Sequence, residues 1–190
     1  MTQPAGKKIS QFIGITELED SDYVTLVSAG VNYKMLVSDF KAGLGVAGYA
    51  PKGLISLQGN TTDTDIVTQN VPVLVAGTWS STTVDNFSAS AAGRLTYTGA
   101  ITRNFMIDST VTMHPTASNV DCAMLIAKNG AVITASQMWS HISHNAEQQV
   151  SSSWIVSLAQ NDYVEIFVSN LSGTQDIEVN SAIIRATVCP

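Results

Sequence analysis

Two segments decide the fold: Ala123-Met124-Leu125-Ile126-Ala127-Lys128-Asn129-Gly130-Ala131-Val132-Ile133, and Trp154-Ile155-Val156-Ser157-Leu158 running through Ala159-Gln160-Asn161-Asp162 into Tyr163-Val164-Glu165-Ile166-Phe167-Val168. Asn129-Gly130 separates two apolar runs, Met124–Ala127 and Ala131–Ile133, and both of its residues tolerate the positive φ that a two-residue β-turn demands. An antiparallel hairpin is predicted there. In the second segment Val156 and Leu158 flank Ser157, and Val164, Ile166 and Val168 alternate with Tyr163, Glu165 and Phe167, so each side of Ala159–Asp162 reads as a strand. A second hairpin is the expectation.

Outward from these segments, composition points the same way. The chain has 190 residues, 45% hydrophobic and 13% charged, enough apolar material for one ordinary core plus an appendage and too little charge for a disordered chain. Val, Ile, Thr and Ser recur throughout, and no long run of Ala, Leu, Glu and Lys falls at helical spacing, so an all-β chain is expected. No stretch approaches the ~20 apolar residues of a membrane-spanning helix. Met1 to Lys8 lead into no signal-peptide apolar region, which implies synthesis and folding in a cytoplasm. Cys122 and Cys189 are then expected as two reduced thiols, a disulfide being the alternative.

Charge is unevenly spread. Residues 1–52 hold five basic groups and five acidic ones, and since the whole chain has 9 and 15, the remainder holds four and ten. A net-negative body with no Lys/Arg stripe and interleaved aromatics argues against nucleic-acid binding.

The amino-terminal module is assigned to residues 1–45. Tyr23–Val27 and Asn32–Val37 are β-rich runs around a Gly-containing turn, predicting a hairpin, and Ser38 or Asp39 can cap a short helical turn carrying Phe40 and Leu44. A lone hairpin is marginal in water. The module therefore reads as an anchor that packs on another surface, with Tyr23, Leu26, Tyr33, Met35, Leu36 and Phe40 as its candidate contact residues. Residues 46–52, rich in Gly and Ala and including Pro51, form a linker. From residue 53 to residue 190, Gly53–Gln58, Val71–Val75, Phe87–Ser90, Gly93–Thr98 and Asn104–Met113 add further strands, giving eight to ten at sandwich spacing. Phe105, Ile107, Val111 and Met113 are candidate interior residues, with a bulge expected near Asp108.

Catalytic chemistry finds little support. No nucleophile elbow, phosphate-cradling Gly-rich loop or His-Glu-x-x-His is present. His141 and His144 have the spacing of a metal-binding pair, yet no local acid or thiol completes a site, and Ser140 to Glu147 reads as an exposed polar loop. Asp63 and Asp65 are a two-carboxylate cue for calcium and no more. The expectation is a chain with no catalytic residues, metal or cofactor.

The order of motifs carries a resemblance. Lys128-Asn129-Gly130, then Val156-Ser157-Leu158-Ala159-Gln160-Asn161-Asp162-Tyr163-Val164-Glu165-Ile166, resembles the Lys-Asn-Gly turn and the Leu-x-Leu-x-x-Gly-Asp-x-Val-x-Leu segment of tumour-necrosis-factor and complement-globular-head jelly rolls. Asn161 stands where that family has Gly, and Asn also tolerates a left-handed position. The resemblance covers roughly residues 53 to 190 and implies an antiparallel jelly-roll β-sandwich assembling as a homotrimer. In relatives an outer sheet face packs about the threefold axis, so Tyr163, Glu165 and Phe167, out of phase with the interior residues, are the expected trimer interface.

The amino-terminal pattern, Ile15-Thr16-Glu17-Leu18, then Asp22-Tyr23-Val24-Thr25-Leu26-Val27, then a run ending in Val37-Ser38-Asp39-Phe40, looks like the short anchor modules of tailed-bacteriophage virion proteins. Joined to a jelly roll, it implies a capsid decoration or head-fibre protein located in the virion and assembled in the host cytoplasm, its partners being its own copies and a major capsid or other virion protein. A tail receptor-binding tip engaging host surface glycan or protein through Ser140, His141, His144 and Glu147 is the alternative; a cytoplasmic ligand-binding jelly roll is a third.

Overall fold

The computed structural model describes residues 23–28, 31–37, 50–116, 119–143 and 146–189. Contacts divide the chain into a unit of residues 1–49 and a unit of residues 50–190. In the first, β1 (Tyr23–Ser28) and β2 (Val31–Leu36) pair antiparallel, with Leu26 opposite Tyr33 and Val24 opposite Met35. The helical turn expected around Phe40 lies outside the described residues.

The second unit is an antiparallel jelly-roll sandwich, as the motif order implied. Its strands are β3 (Lys52–Gln58), β4 (Asp63–Thr64), β5 (Val73–Leu74), β6 (Ser80–Asp85), β7 (Phe87–Ala89), β8 (Leu95–Tyr97), β9 (Arg103–Pro115), β10 (Val120–Lys128), β11 (Ala131–Val132), β12 (Met138–Ile142), β13 (Gln148–Leu158), β14 (Tyr163–Asn170) and β15 (Ile177–Val188). One sheet has six strands in the order β13-β9-β15-β3-β6, with β4 also on β15; the other has seven, β11-β10-β14-β8-β7, with β12 on β10 and β5 on β14. Most neighbours are distant in sequence. Long non-local pairing of this kind gives the sandwich its single core.

Alternation explains which side chains fill it. In β9 Phe105, Ile107, Val111 and Met113 are buried as expected, and Ser109 completes the row without a break, so no bulge occurs near Asp108. The irregularity sits on the neighbouring strand: Val179 pairs with Met113 and Ser181 with Thr112, leaving Asn180 as the extra residue of β15. Phe87, Tyr97 and Phe105 form an aromatic centre with ring centroids 4.9 to 5.2 Å apart. The unbroken apolar run of β10 is buried on both faces from Cys122 to Ala127.

Two expectations are corrected here. The strands flanking Ala159–Asp162 do not pair with each other: β13 pairs with β9 in the six-stranded sheet, and β14 pairs with β10 in the seven-stranded sheet. The segment is therefore a corner between sheets and not a hairpin, because alternation and turn chemistry specify a reversal without specifying a hydrogen-bonding partner. The other correction concerns Ser140 to Glu147, since β12 runs through Ile142 and pairs with β10, placing Ser140 opposite Cys122 and His141 opposite Asp121. β12 buries only Ile142, so its sequence shows no period-two signal. β6 carries no apolar period for a related reason: it is Ser- and Thr-rich and lies at the edge of its sheet.

Candidate interaction surfaces

The motif residues that carried the family resemblance come together at one place. Asn129 and Gly130 have φ of 52° and 77°, the paired positive values of a tight hairpin turn, and Lys128 pairs with Ala131 across it. The side chain of Asn129 then reaches the other corner, donating from Nδ2 to Asp162 Oδ1 at 2.7 Å and accepting the Tyr163 N–H at 2.9 Å. Lys128 Nζ lies 2.8 Å from Asp162 Oδ2 and donates to the Ser157 carbonyl at 2.7 Å. Asp162 also accepts the Ala159 N–H at 2.8 Å, closing its own turn, in which Asn161 takes a φ of 69°. These donors favour the ionised carboxylate, Lys128 first, then Asn129 and Ala159, and hold Asp162 down at about 2. The Lys-Asn-Gly and Asn-Asp motifs are one clamp across the two sheets. Its chemistry is structural.

Tyr163, Glu165 and Phe167 do point away from the core residues Val164, Ile166 and Val168, as their phase requires. Their exposure in a single chain is uneven. Glu165 is 1% exposed and its Oε1 accepts from Arg94 Nε at 2.8 Å, while the Arg94 guanidinium lies 4.8 Å from the Tyr163 ring centroid. The hydrogen bond and charge of Glu165 raise the Arg94 pKa further. Phe167 is half-buried with Leu125 opposite on β10 and Leu74 opposite on β5. The chain itself thus buries Glu165 and covers part of Tyr163 and Phe167.

Large exposed apolar side chains lie elsewhere. Trp154 and Ile155 of β13 are 36% and 56% exposed, Met138 of β12 48%, and Ile183 of β15 36%. β13 ends the six-stranded order and β12 borders β10 on the side away from β14, with Ser152 Oγ of β13 donating to the carbonyl of Ser136, just before β12, at 2.8 Å. Ile155 and Ile183 alternate with buried neighbours and so lie on the outer face of the six-stranded sheet, whereas Trp154, next to Ile155, takes the opposite face. Ile155 was visible in the sequence as the residue out of phase with Val156 and Leu158. Ile183 was hidden in the pair Ile183-Ile184, whose facing only the register decides.

Of the remaining candidates, Tyr23 is 64% exposed and Met35 and Leu36 are half-buried in their unit. Leu26 and Tyr33 face each other in backbone register, and Phe40 lies outside the described residues. Ser140 is half-buried, Glu147 is exposed and His144 lies outside the described residues. His141 is exposed, with Nδ1 2.7 Å from Asp121 Oδ1. Asp63 and Asp65 are exposed on either side of buried Thr64. Among the described residues no three His, Cys, Asp or Glu side chains gather as a metal site would. A concavity of about 200 Å³ lined by Leu57, Gln58, Asn60, Thr61, Thr62 and Thr78 contains no titratable group. No helix among the described residues is long and apolar enough to cross a membrane. Cys122 and Cys189 are free thiols. Burial, with a smaller contribution from the Asp121 charge, pushes Cys122 up to about 12, so it is inert as a nucleophile.

No protein-family model and no curated protein sequence matches this chain. Solved structures similar to it include murine APRIL at pH 5.0, at 12% identity over 72% of this chain and 98% of that one, with a TM-score of 0.49. The Eiger TNF of S. frugiperda matches at 11% identity over 73% and 94%, with a TM-score of 0.46. The globular domain of a zebrafish complement 1qA protein matches at 11% over 73% and 96%, with a TM-score of 0.47.

Proposed function

We propose that this chain is a non-enzymatic, homotrimeric structural protein of a tailed-bacteriophage virion, of the capsid decoration or head-fibre type. In this reading the unit of residues 1–49 fastens to a shell protein and the jelly roll projects outward. The observation that supports it is the set of large apolar side chains that a single copy leaves exposed, Ile155 and Ile183 on the outer face of the six-stranded sheet and Trp154 and Met138 on the edge strands β13 and β12. Large apolar side chains grouped on a sheet edge and face are characteristic of surfaces that a partner covers. Self-association is accordingly assigned to these residues and not to Tyr163, Glu165 and Phe167. The bacteriophage role rests on the amino-terminal pattern joined to a jelly roll.

Light scattering on the purified chain tests the assembly. One copy is 20.1 kDa, so a species three times that mass is expected, reduced to a single copy by Ile155→Lys with its circular dichroism unchanged. A monomer at micromolar concentration would overturn it. Particles assembled without this chain test the location: heads that break on mild heating support decoration, and sound particles that fail to adsorb support a receptor-binding tip. That second reading is favoured by one observation, the exposed Trp139 beside His141 and Asp121.

A further inference from the structure

β12 carries Trp139 and His141 two residues apart, hence on one face of the sheet. Trp139 is 62% exposed and the His141 side chain 59%. An indole left this open is costly in water, and what surrounds it shows what kind of group can cover it. Opposite Trp139 on β10 stands Ala123, small and buried, so the neighbouring strand raises no side chain against the ring. Opposite His141 stands Asp121, whose Oδ1 meets His141 Nδ1 at 2.7 Å. The Asp121 carboxylate is 40% exposed, so its second oxygen can still accept. The Asp121 N–H donates to Ser172 Oγ at 2.9 Å, which anchors its backbone and leaves the Ser172 O–H able to donate.

This patch differs from the exposed Trp154 and Ile155 of β13, whose exposed neighbours along the strand are Ser153 and Ser157. Here a flat aromatic surface adjoins a pre-formed imidazole–carboxylate pair held in cross-strand register. Such a surface fits a ligand with one apolar face and a rim of hydroxyls: the axial C–H groups of a pyranose rest on an aromatic ring, and a carboxylate makes charge-assisted hydrogen bonds to hydroxyls. We propose that Trp139, Asp121 and His141 form a saccharide subsite, a pyranose ring lying on the Trp139 indole with its hydroxyls held by Asp121 and His141. The site needs no other copy of the chain and stands independently of a virion role.

Saturation-transfer NMR tests it on the full chain, using the methyl pyranosides of glucose, galactose, mannose and N-acetylglucosamine, with the open-chain polyol sorbitol as control. A single shallow subsite binds with a Kd on the order of millimolar. Transfer to the ring C–H protons of at least one pyranoside, and not to sorbitol, is expected. Trp139→Ala should abolish the transfer and Asp121→Asn should weaken binding at least tenfold, both variants keeping the parent's thermal melt and solution mass. The proposal is overturned by transfer to none of the pyranosides, by equal transfer to sorbitol, or by equal transfer in Trp139→Ala. It is also overturned if Trp139→Ala changes the solution mass, because the indole would then be covered by another copy of the chain.

Discussion

On the outer face of the seven-stranded sheet, Glu165 is buried beneath Arg94 and Phe167 is half-buried between Leu125 and Leu74; on the outer face of the six-stranded sheet, Ile155 is 56% exposed and Ile183 36%. Both faces come from strands with the same period-two alternation. They differ in what the rest of the chain lays across them. Arg94, just before β8, reaches over Tyr163 to Glu165, and β5 adds a short strand at Phe167, whereas the six-stranded face carries small polar pairs such as Thr110 Oγ1 and Ser151 Oγ at 2.9 Å. Alternation tells which side chains leave the core. It does not tell whether they reach water.

Paired charge insertions break this comparison most directly. Phe167→Lys should destabilise the folded chain by about 2 kcal/mol, read as a lower denaturant midpoint, since it removes a half-buried aromatic from between two leucines. Ile155→Lys should leave that midpoint near the parent's while reducing the solution mass to one copy. If the outcomes were exchanged, the closed and open faces would have been assigned the wrong way round.

A smaller effect separates the polar groups of the two faces. Arg94→Ala leaves the Glu165 carboxylate buried without its partner and should lower the melting temperature by several degrees at neutral pH. Arg185→Ala, on the open six-stranded face, should change it within error.

The clamp between the sheets gives a pH test. Asp162 sits at about 2 when folded against an ordinary 3.8. Its folded value is depressed, so the stabilisation is present above about pH 4 and is lost as pH falls through 2. Allowing for solvent screening, about 1 kcal/mol is at stake, and Asp162→Asn should remove that acid-dependent part of the unfolding free energy. Least of all, Ser153→Ala, which deletes an exposed hydrogen bond to Asp108, should change stability by under ~0.5 kcal/mol. A larger loss would mean that the open face is held by its polar pairs.

Much of the candidate surface was legible, though under another interpretation. His141 was read as part of a polar loop, since Met138–Ile142 buries one residue and gives no sign of being a strand; only its register against β10 sets His141 opposite Asp121 and brings Trp139 beside it. Tyr163, Glu165 and Phe167 take the phase opposite to the interior residues, as their alternation requires, but the cover of Arg94 over Glu165 was not legible, because the two lie 71 residues apart in sequence. The amino-terminal contact candidates were legible as a hairpin, which β1 and β2 form.

By itself the sequence determined the local conformations: the positive-φ turn at Asn129-Gly130, the left-handed Asn161, and the strict alternation of β9, each set by backbone sterics and side-chain period within a few residues. Tertiary structure alone decided that the chain after Leu158 crosses to the other sheet, that Lys128 and Asn129 meet Asp162, and which outer face stays open. Those outcomes depend on pairing between segments tens of residues apart, where hydrogen-bond partners are chosen by the packing of the whole core and not by the residues beside them.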